Sequence, residues 1–179
     1  MKIAILGGGH GCYAAAADLS EAGHEVVLWR RDEAALAPLV AKRSIVLKDA
    51  AGVREVPIAA ATAAIGTAVS GAELIVIPSP ATAQDDIARA LAPHLADGQV
   101  VFLPPGTFGS YAMAQIVRRA GSTARVDWAE TGTLPYLARK HGEREVNVTV
   151  RAIRLPTGVY PARNADRAIE VTRLSLIHI

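Results

Sequence analysis

The sequence contains little cysteine, few aromatic residues and no marked excess of charge of either sign. Its single cysteine, Cys12, cannot form an internal disulfide, which fits a reducing compartment. Aromatic residues make up only 4% of the chain, so the core must be built from Ala, Val, Ile and Leu. With 19 basic and 17 acidic side chains, the charge is too balanced to indicate a nucleic acid or an anionic membrane as partner.

Long hydrophobic segments are also lacking. No apolar run approaches the roughly 20 residues that a membrane-spanning helix needs. The N-terminal segment KIAIL runs directly into glycines rather than into the longer apolar stretch of a signal peptide. We therefore expect a cytoplasmic protein without a membrane partner. The length of 179 residues and the 51% of hydrophobic residues predict one folded domain with a sizeable core.

A glycine-rich segment lies between two short apolar runs in residues 2–29. It follows the dinucleotide-binding pattern G-x-G-x-x-G/A, with Gly7 and Gly9 at the first two positions and Cys12 at the third. Gly7 would make the tight turn after the first strand, and Gly9 would let the backbone approach a diphosphate. A helix that begins near Gly11 would direct its free N–H groups at the phosphates. The alternative is a plain strand-to-helix turn that binds no nucleotide.

The remainder of the chain, to about Glu130, alternates short apolar strands with helices. Such strands without polar alternation are typical of a parallel sheet covered on both faces. We therefore predict an α/β protein with a Rossmann-type, doubly wound, mostly parallel sheet. Residues 44–58 are expected to form a small hairpin around Ala51 and Gly52 or an irregular excursion, and residues 82–96 a helix. Residues 144–155 form one strand or a hairpin, and Asn164 is expected to cap a last helix.

The end of the second strand bears on the choice of cofactor. An acidic residue there accepts hydrogen bonds from the ribose of NAD, whereas arginine binds the 2′-phosphate of NADP. The acid's usual place holds Arg30, with Arg31 next to it, so we expect NADP(H) to be preferred over NAD(H). The alternative is that one arginine is solvated and the other stacks on adenine, while Asp32 reaches a ribose hydroxyl.

Residues that follow other strands should line the cofactor site. Pro78 and Ser79 end one strand, and Thr107 follows the next. Glu130 ends a further strand, where it either approaches the cofactor or caps a turn. Cys12 is more consistent with a packing role than with a reactive thiol, and no cluster with metal-ligand spacing is present, so we expect no metal. The predicted cofactor-binding residues are Gly7, Gly8, Gly9, His10, Gly11, Cys12, Arg30, Arg31, Pro78, Ser79, Thr107 and Glu130.

Three segments together resemble the N-terminal domain of the octopine/nopaline (opine) dehydrogenase family. They are ILGGGHGCYAAAADLSEAGHEVVLWRR, IVIPSPATAQDDIARALAPHLADGQVVFLPPGTFGS and, above all, AETGTLPYLAR. The resemblance implies an enzyme that condenses an α-keto acid with the amine of an amino acid, using a nicotinamide cofactor. It also implies a C-terminal helical domain that carries a catalytic histidine, so no catalytic residue is assigned in this chain. His10 and Cys12 depart from the family's usual residues.

The resemblance also sets the expected domain organisation. We expect residues 1–163 to form the dinucleotide-binding domain and residues 164–179 to be the start of a linker helix or a non-native tail. The final LSLIHI lacks a cap, and SLIHI resembles translated adapter sequence, so we interpret the chain as a truncated fragment that is inactive by itself. Two alternatives stay open: a ketopantoate reductase or glycerol-3-phosphate dehydrogenase-like enzyme, and a stand-alone nucleotide-sensing module. A homodimer is also left open.

Overall fold

A seven-stranded sheet forms the centre of the protein in the computed structural model, which describes residues 1–175. Its strand order is β11-β8-β7-β6-β1-β2-β5. All neighbouring strands are parallel except β11, which pairs antiparallel with β8 at one edge. The strands are β1 (Lys2–Leu6), β2 (Glu25–Trp29), β5 (Ala60–Thr62), β6 (Leu74–Val76), β7 (Val100–Leu103), β8 (Asp127–Thr131) and β11 (Thr157–Tyr160).

Helices cover both faces of this sheet. Successive residues of β1 contribute to opposite cores: Ile3 and Ile5 belong to one buried cluster, and Ala4 and Leu6 to the other. This is the reason that the strands are apolar without alternation. The predicted doubly wound α/β fold is thereby confirmed. The helices are α1 (His10–Glu21), α2 (Glu33–Lys42), α3 (Ile65–Val69), α4 (Ala81–Leu91), α5 (Gly109–Arg119) and α6 (Ala165–Ser175).

A second sheet of four strands packs on the outer side of α1. Its order is β4-β3-β10-β9, and it combines the predicted hairpin with two strands from a distant part of the chain. The four alanines at positions 14–17 of α1 are all buried between this sheet and the central sheet. Their small side chains let the helix approach both layers closely. The strands are β3 (Ser44–Asp49), β4 (Gly52–Pro57), β9 (Tyr136–His141) and β10 (Glu145–Arg151).

Ion pairs attach the second sheet to α1. The Arg151 guanidinium lies between two carboxylates, donating to Asp18 Oδ1 of α1 and to Asp49 Oδ2 of β3, both at 2.8 Å. Tyr136 donates its hydroxyl to Asp18 Oδ2 at 3.1 Å. Arg54 donates to Asp49 Oδ1 at 2.8 Å, and its hydrogen bonds hold the pKa of the Asp49 carboxyl well below its usual range. One polar network thus joins α1 to all four strands of the second sheet.

Several local predictions need correction. The helix expected over residues 82–96 ends at Leu91 and is followed by a short 3₁₀ turn, Ala92–His94. Asn164 does not cap α6, because it lies in a second 3₁₀ turn, Ala162–Asn164, and donates its side-chain amide to Asp127 Oδ1 at 2.6 Å. Strands β9 and β11 were not predicted from the sequence. The four residues 176–179 of the expected tail lie outside the described residues.

Within residues 1–175, every helix is too short or too polar to cross a bilayer. Helix α6 packs against β7, β8 and β11 of the central sheet, with Ala168 buried in the core. The proposed domain boundary after residue 163 stays a prediction.

Candidate functional site

The glycine loop joins β1 to α1 at the carboxyl edge of the central sheet. Gly7 has a φ of +129°, and its N–H donates to Trp29 O at 2.9 Å. A Cβ at Gly7 would lie 2.7 Å from Ser79 Oγ and 2.8 Å from Cys12 Sγ. Only glycine satisfies both the positive φ and this close packing.

Gly9 occupies a different environment from Gly7. It is the N-cap residue of α1, and its φ of −81° suits any residue. Because glycine has no side chain, no side-chain hydrogen bond caps this end of the helix. A Cβ at Gly9 would meet no atom within 4 Å. The N-terminus of α1, with its unpaired N–H groups and positive end of the helix dipole, therefore opens onto free space at Gly9. This is an opening of the kind that a phosphate requires.

Cys12 lies beneath the loop and is fully buried. Its Sγ is 3.8 Å from both Leu6 O and Pro78 O. Burial raises the pKa of the Cys12 thiol to about 11, so the thiol is uncharged near neutral pH. The tight approach of α1 to the loop after β6 occurs at Gly11, where a Cβ would be 3.2 Å from Pro78 Cβ. These contacts support the packing role of Cys12.

A first cavity of about 330 Å³ lies on one side of Gly9. Arg30 runs along its floor beside Gly8, and its Nη1 donates to Ala35 O at 3.3 Å. Arg31 is largely exposed and pairs with Asp86 at 3.5 Å. The lining of the first cavity comprises Gly7, Gly8, Gly9, Trp29, Arg30, Arg31, Asp32, Ser79, Pro80, Ala83, Asp86, Ile87 and Ala90.

Asp32 lines the first cavity, and both oxygens of its carboxylate have protein partners. Its Oδ1 accepts from Ala35 N at 3.0 Å and thereby caps α2. Its Oδ2 lies 3.8 Å from Arg30 Nη2. The charged residues of the first cavity are thus two arginines, Arg30 and Arg31, and two carboxylates, of which Asp32 caps α2 and Asp86 pairs with Arg31.

A second cavity of about 550 Å³ lies on the other side of Gly9. The second sheet forms much of its wall, so this wall was not foreseen from the sequence. His10 connects the glycine loop to the second sheet, because its Nδ1 accepts from the backbone N–H of Lys140 in β9 at 2.9 Å. The lining residues are Gly9, His10, Gly11, Pro78, Pro80, Leu134, Tyr136, Leu137, Ala138, Arg139, His141, Asn147 and Thr149.

Three further predicted residues have separate placements. Ser79 lines the first cavity and donates its hydroxyl to Leu6 O at 3.2 Å. Glu130 accepts from Phe108 N at 2.9 Å and from Ser110 N at 2.8 Å, so both its oxygens cap the N-terminus of α5. Neither Glu130 nor Thr107 lines the two cavities. The structure favours a capping role for Glu130, and contact of either residue with a cofactor stays a prediction.

Sequence reasoning missed Tyr13 and Lys140. Tyr13 is fully buried in α1, and Lys140 Nζ lies 4.4 Å from the centre of its ring. Strand β9 begins at Tyr136, within the segment that carried the family resemblance, but the sequence analysis identified no strand there. Among residues 1–175 there is no group of three or more His, Cys, Asp or Glu side chains placed to hold a metal ion.

Comparison with known proteins agrees with this geometry. The family model described as "Ketopantoate reductase PanE/ApbA" matches residues 3–126. The chain is 30% identical over 169 residues to an opine dehydrogenase of Arthrobacter sp. (strain 1C), covering 93% of this chain and 46% of that protein. The chain therefore spans about half the length of the curated relative it matches.

Two solved structures show the same fold. An octopine dehydrogenase with NADH and L-arginine superposes with a TM-score of 0.78 at 20% identity, covering 97% of this chain and 46% of that one. Yersinopine dehydrogenase bound to NADP⁺ gives a TM-score of 0.72 at 14% identity, covering 95% and 45% respectively. Both nicotinamide dinucleotides thus occur among the relatives, which matches the expected cofactor class. The chain belongs to the ketopantoate reductase PanE/ApbA family, as an NAD(P)-binding domain of the type that opine dehydrogenases carry.

Proposed function

We propose that the chain is the cofactor-binding part of an opine-type dehydrogenase that uses NADPH in preference to NADH. The reaction is the reductive condensation of an α-keto acid with the amine of an amino acid. The similarity to an opine dehydrogenase over 93% of the chain supports this reaction class. Because the chain spans 46% of that protein, the substrates and the activity belong to the proposal.

The position of Gly9 between the two cavities is the observation that carries the proposal. Gly9 lines both cavities, and nothing occupies the space into which its side chain would project. A dinucleotide can therefore place its diphosphate at the N-terminus of α1, with one nucleoside half on each side. The adenosine half belongs in the first cavity, beside Arg30. The nicotinamide half belongs in the second cavity, which is walled by the second sheet.

The residues of the chain bind and orient the cofactor rather than perform chemistry on the substrate. When bound, the reduced nicotinamide supplies a hydride. His10 is engaged with Lys140 N and serves to hold β9 against the glycine loop. The second sheet shields one side of the nicotinamide cavity from water. We therefore expect the 179-residue chain to bind the cofactor without turnover, because proton transfer and substrate orientation need further groups.

Titration of the purified chain with NADPH and NADH, followed by calorimetry, tests this proposal. We expect tighter binding of NADPH, and we expect Gly9→Val to abolish binding of both dinucleotides by filling the diphosphate space. Gly158→Val is a matched control, because Gly158 lies in an exposed part of β11 with no atom near its Cβ position. Tighter binding of NADH, or unchanged affinity in Gly9→Val, would contradict the proposal.

A ketopantoate reductase is the second candidate, favoured by the family model that matches residues 3–126. A gene product extended beyond codon 179 separates the two. Consumption of NADPH with ketopantoate alone supports a reductase, whereas consumption that requires both a keto acid and an amino acid supports an opine dehydrogenase. Cytoplasmic location and a homodimer remain predictions, which cell fractionation and analytical ultracentrifugation test.

A further inference from the structure

Two cationic side chains from different sheets meet at Tyr13 in the first turn of α1. Lys140 projects from β9 of the second sheet and places Nζ 4.4 Å from the centre of the Tyr13 ring. Arg30, at the end of β2, lies beside the Tyr13 hydroxyl, and its proximity acts to lower the pKa of that hydroxyl against the larger effect of burial. The two cations therefore flank the same aromatic side chain next to the glycine loop.

Neither cation is fully neutralised by protein groups. Among the described residues, no carboxylate lies within 4.0 Å of Lys140 Nζ, and Arg30 has only the 3.8 Å contact with Asp32. Burial and the charge of Arg30 both lower the pKa of Lys140, while Glu143 acts in the opposite direction. Two like charges that are partly removed from water repel each other unless an anion joins them.

The Tyr13 hydroxyl adds an independent observation. Tyr13 is fully buried, and within the described part of the chain its hydroxyl makes no hydrogen bond of normal geometry, although the Arg30 guanidinium lies close enough to act on its pKa. A buried hydroxyl without a partner costs free energy, and such groups in native proteins usually mark a bound ligand or another functional requirement. A phosphate bound next to Tyr13 would neutralise the two flanking cations together.

We propose that Lys140, together with Arg30, binds the 2′-phosphate of NADP(H), so that the second sheet contributes a specificity residue. This inference rests on the proposed function. Arg30 follows β2, where the adenosine ribose of a bound dinucleotide lies. Lys140 is brought to the same place by the His10–Lys140 hydrogen bond, which joins β9 to the glycine loop. A sheet outside the central nucleotide-binding sheet thus takes part in the choice between the two dinucleotides.

Affinity measurements on three variants of the chain test the inference. Lys140→Met removes the charge but retains an unbranched apolar chain over Tyr13, and Lys140→Arg retains the charge. Lys48→Met removes one positive charge from an exposed position of β3 in the same sheet and serves as the control. We expect Lys140→Met to bind NADPH about tenfold or more weakly, the effect of one lost charge-assisted hydrogen bond, with NADH affinity unchanged within about twofold.

The outcomes distinguish this inference from the proposed function. Loss of NADPH affinity in Lys140→Met, with recovery in Lys140→Arg and none of the loss in Lys48→Met, supports a 2′-phosphate contact. Equal weakening of NADPH and NADH assigns Lys140 to the diphosphate and overturns the inference. Unchanged NADPH affinity in Lys140→Met also overturns the inference. In that case the proposed function still stands if the wild-type chain binds the dinucleotide and Gly9→Val abolishes this binding. A wild-type chain that binds neither dinucleotide refutes both.

Discussion

The same substitution at two glycines of one loop should have opposite effects on stability and binding. Gly7→Ala introduces a Cβ where φ is +129° and where Ser79 Oγ and Cys12 Sγ would lie 2.7 and 2.8 Å away. Gly9→Ala introduces a Cβ where φ is −81° and where no atom lies within 4 Å. We therefore expect Gly7 to be needed for stability, and Gly9 to be needed for the space that a ligand would fill.

The magnitudes follow from these contacts. At Gly7, an unfavourable backbone conformation costs about 1–3 kcal/mol and overpacking a further 1–3 kcal/mol, so we expect a loss of about 3 kcal/mol in the free energy of unfolding. At a urea m-value of about 2 kcal/mol/M, the unfolding midpoint falls by about 1.5 M. At Gly9, the lower entropy of the unfolded chain opposes a poorer N-cap, so stability changes by less than about 1 kcal/mol.

Urea unfolding followed by fluorescence and calorimetric titration with NADPH measure the two effects separately. We expect Gly7→Ala to lower the midpoint, and Gly9→Ala to retain the wild-type midpoint but bind NADPH at least about tenfold more weakly. Equal midpoints for Gly7→Ala and the wild type would refute the packing argument at Gly7. Wild-type NADPH affinity in Gly9→Ala would refute the assignment of the diphosphate to this loop.

Two further predictions concern charged groups away from the loop. Glu130→Gln should lower the free energy of unfolding by about 1 kcal/mol, because it weakens the cap of α5. Calorimetry should show unchanged NADPH affinity. Weaker NADPH binding would instead place Glu130 at the cofactor. The pKa of Asp49 is lowered in the folded protein, so its stabilising effect is present above the unfolded value of about 3.9 and is lost as the pH falls below it. Asp49→Asn should therefore be less stable than the wild type by about 3 kcal/mol at pH 7, with a smaller difference at pH 3, as measured by urea unfolding. An equal difference at both pH values would contradict the link between the ionisation of Asp49 and stability.

Local sequence patterns were sufficient to predict the glycine loop and five strands of the central sheet, β1, β2, β6, β7 and β8. The apolar runs at β1, β2, β6 and β7 are short and unbroken, because each strand is buried on both faces, and the intervening helices fix their parallel direction. The spacing of Gly7 and Gly9 after a strand and before a helix was equally informative. These features depend on neighbouring residues, so one sequence contained enough information to predict them.

The second sheet could not be predicted in the same way. It pairs β3 with β10 across about a hundred residues, and the charges that attach it to α1 are contributed by Asp18, Asp49 and Arg151. Nothing in the local pattern around Ala14–Ala17 distinguishes a helix between two sheets from a helix on one. Only the structure shows that these alanines are in close contact with a sheet on each side of the helix.

The sequence by itself determined the class of fold, the position of the glycine loop and the arginine that follows β2, because these rest on short-range geometry and on residue chemistry. Tertiary structure decided that Gly9 lies between two cavities, that Glu130 caps α5, and that Lys140 joins Arg30 at Tyr13. Those relations are between groups far apart in the chain. They arise only when the packing of the two sheets against α1 brings the groups together.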